Sequence, residues 1–397
     1  MSSGDSSSEV SSQGWLSRIG NSIKGVLVGL LLFVISFPLL FWNEGRAVGR
    51  AKDLEEGSKN VVSVQADGVV EANNGKLVHL TGMAEPEGTL TDPDFGISAQ
   101  AIHLQRKVEM YQWREQQKQE KKKKLGGGEE TVTTYTYVEV WSDRPEELSY
   151  SSRDAKYANP PMPRIESKTW AAEIVKVGAF RLSKELIDRI EAFETLPVNS
   201  APPEGSQGKS LGFVARDGVF YKSADPDKTK DRAIAFIGDI RVSCQEVKPQ
   251  TVSIIARQNN GTFEAYTTKR GGKLLELRLG ELSAETMIAK AAEENNALTW
   301  LLRLAGFLLM AVGIYLMVNP LVVLADVIPF LGGLMSAGVA IFAALIAFCL
   351  SLITIAIGWI FYRPLLGFSL LAVAGLGIGL VIFFIMKRKG AARLAKG

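Results

Sequence analysis

His79 and His103, the two histidines of this 397-residue chain, and its two cysteines, Cys244 and Cys349, are the side chains whose types suit acid–base, nucleophilic or metal chemistry. Four such residues, widely spaced, make a poor metal set, because a structural zinc site needs three or four Cys or His ligands at short intervals. The chain has no G-x-S-x-G, no H-E-x-x-H and no cysteine cluster. His79 and His103 both fall in strand-like segments and could meet across neighbouring strands as an acid–base pair. A strand histidine that is exposed or hydrogen-bonded to the backbone is the commoner case. Gly208-Lys209-Ser210 resembles the end of a phosphate loop, but Pro203 stands where the first glycine is needed and no strand precedes it. Asn260-Gly261-Thr262 is a formal glycosylation acceptor that also reads as an Asn-Gly hairpin turn. The expectation is a chain with no catalytic residues, no cofactor and no metal site, hence not an enzyme.

The elements that would position any chemistry are organised around a membrane. Apolar residues make up 47% of the chain and the net charge is +3, unremarkable as averages, but the hydrophobicity is concentrated at the two ends. Residues 23–42, 300–324, 334–361 and 365–386 are apolar runs, and about 20 residues at about 1.5 Å rise match a hydrocarbon core of about 30 Å. Breakers lie between the last three: Asp326, Pro329 and Gly332-Gly333, then Tyr362-Arg363-Pro364. Phe41-Trp42-Asn43-Glu44 offers no small-residue cleavage site, so the first run is an uncleaved anchor rather than a signal peptide. The fold class expected is an α+β multipass membrane protein with four transmembrane helices, one N-terminal and three C-terminal, and a large β-rich extracytoplasmic domain over residues 43–299.

Four crossings put both ends on one face. The tail 387–397 carries five basic residues and no acid, which places it and residues 1–22 in the cytoplasm. Arg46, Arg50 and Lys52 on the domain side argue the other way and are outweighed. Residues 1–22, Ser- and Gly-rich at the start, are expected to be disordered. Cys349 falls inside a membrane run with no route to Cys244, so cysteine usage leaves the redox compartment open.

Between the first and second runs the patterning is mostly period two. Val61 to Val70 and Lys76 to Glu85 flank Asn73-Asn74-Gly75 and are expected to form a hairpin. Ile102 to Trp113 and Thr131 to Trp141 alternate and are expected to pair across a tip holding Lys121 to Lys124 and Gly126 to Gly128. That lysine run reads as a solvated tip whose charges block edge-to-edge association. A membrane- or acid-binding finger is the sharper alternative, and a nucleic-acid patch is disfavoured because no aromatic residues interleave the lysines. Leu186, Ile187, Ile190 and Phe193 share a helical face, predicting a helix over 184–195 behind Ser183. Strands follow at 211–221, 233–245, 251–258, 262–268 and 274–282. A helix capped by Ser283 then runs without proline or glycine into Trp300, and Arg303 in its early membrane part is expected to snorkel to the interface.

Phe41-Trp42-Asn43-Glu44-Gly45-Arg46-Ala47, Val108-Glu109-Met110-Tyr111-Gln112-Trp113, Val252 to Gln258 with its Arg257, and Gly358-Trp359-Ile360-Phe361-Tyr362-Arg363-Pro364 resemble, in the same order, the LUMA (transmembrane protein 43) family. The resemblance implies an integral membrane protein with a large lumenal domain and no established enzymatic activity. Eukaryotic members are described as organisers of inner nuclear membrane and endoplasmic reticulum complexes that self-associate, with emerin and lamins among their partners. Bacterial relatives would place the chain in an inner membrane instead. The expected partners are therefore a second copy of the chain, other membrane proteins and membrane lipids, with no nucleic acid. Gly375, Gly377 and Gly379 suit close helix packing, and Lys387, Arg388 and Lys389 suit anionic lipid headgroups. A membrane-anchored ligand or stress sensor, signalling through the helix at 284–298, is the rival reading to a scaffold.

Overall fold

In the computed structural model, the described residues are 6–149, 157–225, 235–365 and 367–369. They divide into two compact units: Met1–Ser11, Glu56–Lys121 and Thr131–Ala289 in one, and Ser12–Glu55, Lys122–Glu130 and Lys290–Gly397 in the other.

The first unit is built on two sheets. In one, Gln250–Asn259 pairs along nearly its whole length with Leu77–Pro86, with Ile254 opposite Leu80. Leu77–Pro86 then pairs with Val175–Val177, that strand with Phe180–Arg181, and that in turn with Thr262–Glu264, which returns to Gln250–Asn259. The pairing closes on itself, so these five strands leave no mutual edge. Inside are Val78, Leu80, Val177, Phe180, Val252, Ile254 and Phe263, all essentially inaccessible to solvent, with the Phe180 and Phe263 rings stacked at 5.1 Å. Asn260 and Gly261 both take positive φ, 44° and 79°, as a tight Asn-Gly turn requires. The expected turn is there.

The second sheet has the order Ser6–Gln13, Glu129–Ser142, His103–Lys123, Ile240–Val247, Val219–Lys222, Val214–Arg216. The even-numbered side chains of the long strand face a core in which Val108, Met110, Val242 and Cys244 pack with Phe95, Phe213 and Phe220. Arg106 lies on that face too. Its guanidinium is held at 2.8 Å by Asp92 and 2.8 Å by Asp94 and sits 5.3 Å from the Phe95 ring centre.

Several expectations are corrected here. Residues 6–13 are not structureless: they form a strand along Glu129–Ser142, whose outer backbone edge would otherwise be open. Val62–Ser63 runs parallel to Leu77–Pro86, so 61–85 is not a hairpin; Gly75 donates instead to the Gln258 carbonyl, and Gln258 reaches back to the Val70 carbonyl. The helix predicted over 184–195 is one turn, Lys184–Ile187, because Glu194–Leu196 is drawn into pairing with Ile240–Val247. Leu186, Ile187 and Ile190 are nonetheless buried.

The second unit holds three helices long and apolar enough to cross a membrane among the described residues: Trp15–Asn60, Ala284–Ala325 and the one ending at Tyr362. The expected fourth run, 365–386, with Gly375, Gly377 and Gly379, and the tail with Lys387, Arg388 and Lys389 fall outside the described residues, apart from 365 and 367–369. The first helix does not stop at Trp42 but continues to Asn60, so Asn43, Glu44 and Arg46 are helical. The break after the second helix is only Asp326 to Ile328, and Gly332-Gly333 lie inside the third, Pro329–Tyr362. Gly332 is there for space: a Cβ would collide with the Asp326 carboxylate. Helices one and two cross at Gly29 and Gly313, where a Cβ on either would meet the other's carbonyl at 2.7 and 2.8 Å. Leu40, Met310, Ile314, Ala343 and Ala347 form the core between the three.

The tip Lys122–Glu130 also belongs to this unit, so it is not a free solvated end. The sequence reading sets it across the bilayer from residues 1–22, whereas here it packs beside Trp15 and Arg18.

Candidate functional site

Polar residues in the helical unit gather into two clusters. Asn295, Thr299 and Arg303 recur every four residues and therefore form one stripe on the second helix. Asn43, Glu44 and Arg46 face it from the first. Arg303 grips Glu44 with both ends of its guanidinium, Nε to Oε1 at 2.7 Å and a terminal nitrogen to Oε2 at 2.8 Å. The Trp359 indole N–H donates to the same carboxylate at 2.8 Å from the third helix. Trp300 and Trp359 flank the guanidinium at 4.8 and 5.6 Å. Arg303 is therefore paired inside the bundle rather than snorkelling out.

Beside this lock, Arg46 donates to Asn295 Oδ1 and Thr299 Oγ1, both at 2.9 Å, and Asn43 donates to the Thr299 carbonyl at 3.0 Å. Gly45 leaves room for Tyr362: a Cβ there would lie 2.6 Å from the phenol ring. Gly358 likewise lets Glu44 approach, since a Cβ would sit 3.0 Å from its Cγ. The first and last of the four motif blocks are thus one site, bringing Asn43, Glu44, Gly45, Arg46, Trp359 and Tyr362 together. Trp42 points outward, 57% exposed. Arg363 closes the third helix through its N–H to the Trp359 carbonyl, and Pro364 follows.

At the other end of the apolar stretch, Asp326, fully buried, accepts from Arg18 at 2.5 Å and Lys123 at 2.5 Å. Residues 18 and 44 lie on one helix, about 39 Å apart at about 1.5 Å per residue, close to a bilayer with its headgroups, about 40–45 Å. Nothing in the spacing of Arg18, Lys123 and Asp326 along the chain announces this cluster. The Asn295 stripe, by contrast, was readable from its period.

In the first unit, Glu109, which is buried, and Tyr111, which is partly buried, lie on the face of the larger sheet opposite the core of Val108 and Met110. Glu109 borders a cavity of about 420 Å³ that is also lined by Trp141, Arg216, Tyr221, Arg241 and Gln245. Arg241 pairs with Glu109 at 2.8 Å and lies 4.5 Å from the Trp141 ring centre; Arg216 lies 4.9 Å from that of Tyr221. Tyr111 packs on Trp141 and donates to Glu139 at 3.2 Å. Burial alone would push the Glu109 carboxyl up, but hydrogen bonds from Arg241 and Lys107, with their charges, bring it below its ordinary value. Burial, then the hydrogen bond to Asp239, pushes the Tyr221 phenol up. Trp113 packs edge-on against Tyr157, and Arg257 pairs with Glu264 on the neighbouring strand.

A carboxyl depressed by folding contributes stability above its unfolded pKa, about 4.3, and loses it as pH falls through the lower folded value. Glu109→Gln should therefore melt below wild type at neutral pH, with the gap closing in acid below about pH 4. Thermal melts of the full chain in detergent across pH test this; a gap constant with pH would refute it.

The histidines are not brought together. His79 is on the closed sheet and bonds the Leu282 carbonyl at 2.8 Å; His103 is on the other sheet and bonds the Ile187 carbonyl at 3.0 Å. Lys209 of the phosphate-loop-like stretch pairs with Glu204 on a single helical turn. Cys244 is buried, which pushes its thiol up to about 12. Among the described residues no group of three or more His, Cys, Asp or Glu is placed to hold a metal.

A family model described as "Transmembrane protein 43" matches residues 110–364. The chain is 34% identical over 379 residues to a Transmembrane protein 43 of Pongo abelii, covering 93% of this chain and 91% of that one. It is 35% identical to one of Mus musculus, with 89% and 88% covered, and 28% identical to a homolog in Drosophila melanogaster, with 87% and 90% covered. No solved structure matches it. A match this long, running through three helices that suit a bilayer and the buried lock that joins them, makes the chain a member of the transmembrane protein 43 family of membrane proteins.

Proposed function

We propose that the protein is a non-catalytic membrane scaffold, which self-associates and gathers other membrane proteins around its helices and its strand-rich domain. The observation that supports this most is how the charges of the helical unit are used. Glu44 is held by Arg303, and Asp326 by Arg18 and Lys123, in mutual pairs that tie helices together. A transport pathway would instead line a cavity with ionisable groups able to exchange ligands. The apolar faces left outward, among them Leu27, Leu31, Ile341, Phe342, Leu345 and Ile353, are what lipid or neighbouring membrane helices would cover.

Native mass spectrometry of the full-length protein, released gently from its own membrane, tests the proposal. A defined homo-oligomer or a reproducible complex is expected. A monomer without protein partners would overturn it, and such a monomer carrying one stoichiometric small molecule would favour the sensor reading. The cavity beside Glu109 and Trp141 is the specific observation that keeps that second reading in play.

A further inference from the structure

We infer that the cavity of about 420 Å³ in the strand-rich unit is a binding site for a small, polar organic carboxylate, held by the terminal nitrogens of Arg241. Strand register assembles the site. Residues 241, 243 and 245 of Ile240–Val247 share one face of the sheet, because alternate residues of a strand do. Glu109 and Tyr221 lie across from Arg241 on the two neighbouring strands, and Thr195 lies across from Gln245. All of these line the cavity, as does Trp141.

Arg241 is only half used by the protein. Its Nε donates to Glu109 at 2.8 Å, and its guanidinium carbon stands 4.5 Å from the Trp141 ring centre, a contact that holds the group in place. Among the described residues its two terminal nitrogens have no acceptor. A planar fork of that kind matches a carboxylate through two parallel N–H···O bonds. Around it, among the described residues, three cations stand against two carboxylates: Arg241 and Lys107 on Glu109, and Arg216 beside Asp217. The one charge left over suits a monoanion better than a doubly charged phosphate ester. A cationic ligand is disfavoured, since Glu109 is already engaged by two cations. The Thr195 and Ser243 hydroxyls and the Gln245 amide make no side-chain hydrogen bond among the described residues, which leaves them for hydroxyl or amide groups on the ligand. The Tyr221 hydroxyl is spent on Asp239, so that residue offers its ring. A few polar groups set among aromatic walls are what orient a ligand in a pocket. Such binding does not depend on self-association, and its failure would leave the scaffold reading untouched.

Saturation-transfer NMR of the full-length protein in a nonionic detergent tests this, with N-acetylserine as probe, its uncharged twin N-acetylserinamide as control and inorganic phosphate as competitor. N-acetylserine should take up saturation, and the amide should bind about tenfold more weakly, the usual loss with one charge-assisted hydrogen bond. Arg241→Lys keeps a counter-charge for Glu109 but removes the fork, and should weaken N-acetylserine about tenfold while melting close to wild type. Ser243→Ala, which disturbs no charge, should weaken it about threefold, and it keeps the test decisive if Arg241→Lys fails to fold. Transfer to the acid no greater than to the amide, including none to either, overturns the inference. So does N-acetylserine binding unchanged in both variants. Displacement by inorganic phosphate at a lower concentration than the acid would overturn the assignment to a carboxylate.

Discussion

Glu44→Ala is expected to destabilise the helical unit by about 3–5 kcal/mol, the usual cost of removing one partner from a buried ion pair. The carboxylate is inaccessible, and its loss leaves the Arg303 guanidinium facing two indoles with no counter-charge. It also strands the Trp359 N–H. Thermal melting of the detergent-solubilised full chain, followed by tryptophan fluorescence, should show the drop. The double variant Glu44→Leu, Arg303→Met should recover much of it, because the stranded charge is gone and apolar groups of similar volume fill the space. A single variant within about 0.5 kcal/mol of wild type would mean that the lock contributes nothing and that the motif is kept for another reason.

The second large effect is expected at the helix crossing. A leucine at Gly313 must displace the Gly29 carbonyl and the Phe33 backbone, both 2.8 Å from where its Cβ would stand. Those are main-chain atoms of a helix and cannot step aside as a flexible side chain would. Overpacking of this kind costs about 1–3 kcal/mol or more, and the first two helices should part. Gly313→Leu should accordingly melt early and expose the helix ends to limited proteolysis. Gly333→Leu, with nothing within 4 Å of its Cβ, is the matched control. Equal behaviour of the two variants would show that close approach of the helices is not what these glycines serve.

Legibility of the fold followed the range of the interactions involved. Period-two segments such as His103–Lys123 and Gln250–Asn259 declare themselves because one face must be buried, and the Asn260-Gly261 turn because only certain residues take positive φ cheaply. Val62–Ser63 reads as half of a hairpin from sequence but pairs in parallel, because nearby Asn and Gly residues look the same whether the chain reverses locally or crosses to a parallel position. Residues 184–195 kept their apolar spacing but lost their helix, since a partner strand at Cys244 to Glu246, some fifty residues on, claims Glu194–Leu196.

By itself the sequence determined that this is a membrane protein with a β-rich domain, which helices are apolar enough to cross, and which motif places it in its family. Those properties are sums over local windows, and transfer free energy accumulates along a run whatever the rest of the chain does. Tertiary structure alone decided that Glu44 belongs to Arg303 and Trp359, that Asp326 serves both Arg18 and Lys123, and that the lysine tip is clamped rather than free. These are charges hundreds of residues apart whose pairing depends on where the packed helices and strands bring them, and a buried charge must find its partner wherever the fold provides one.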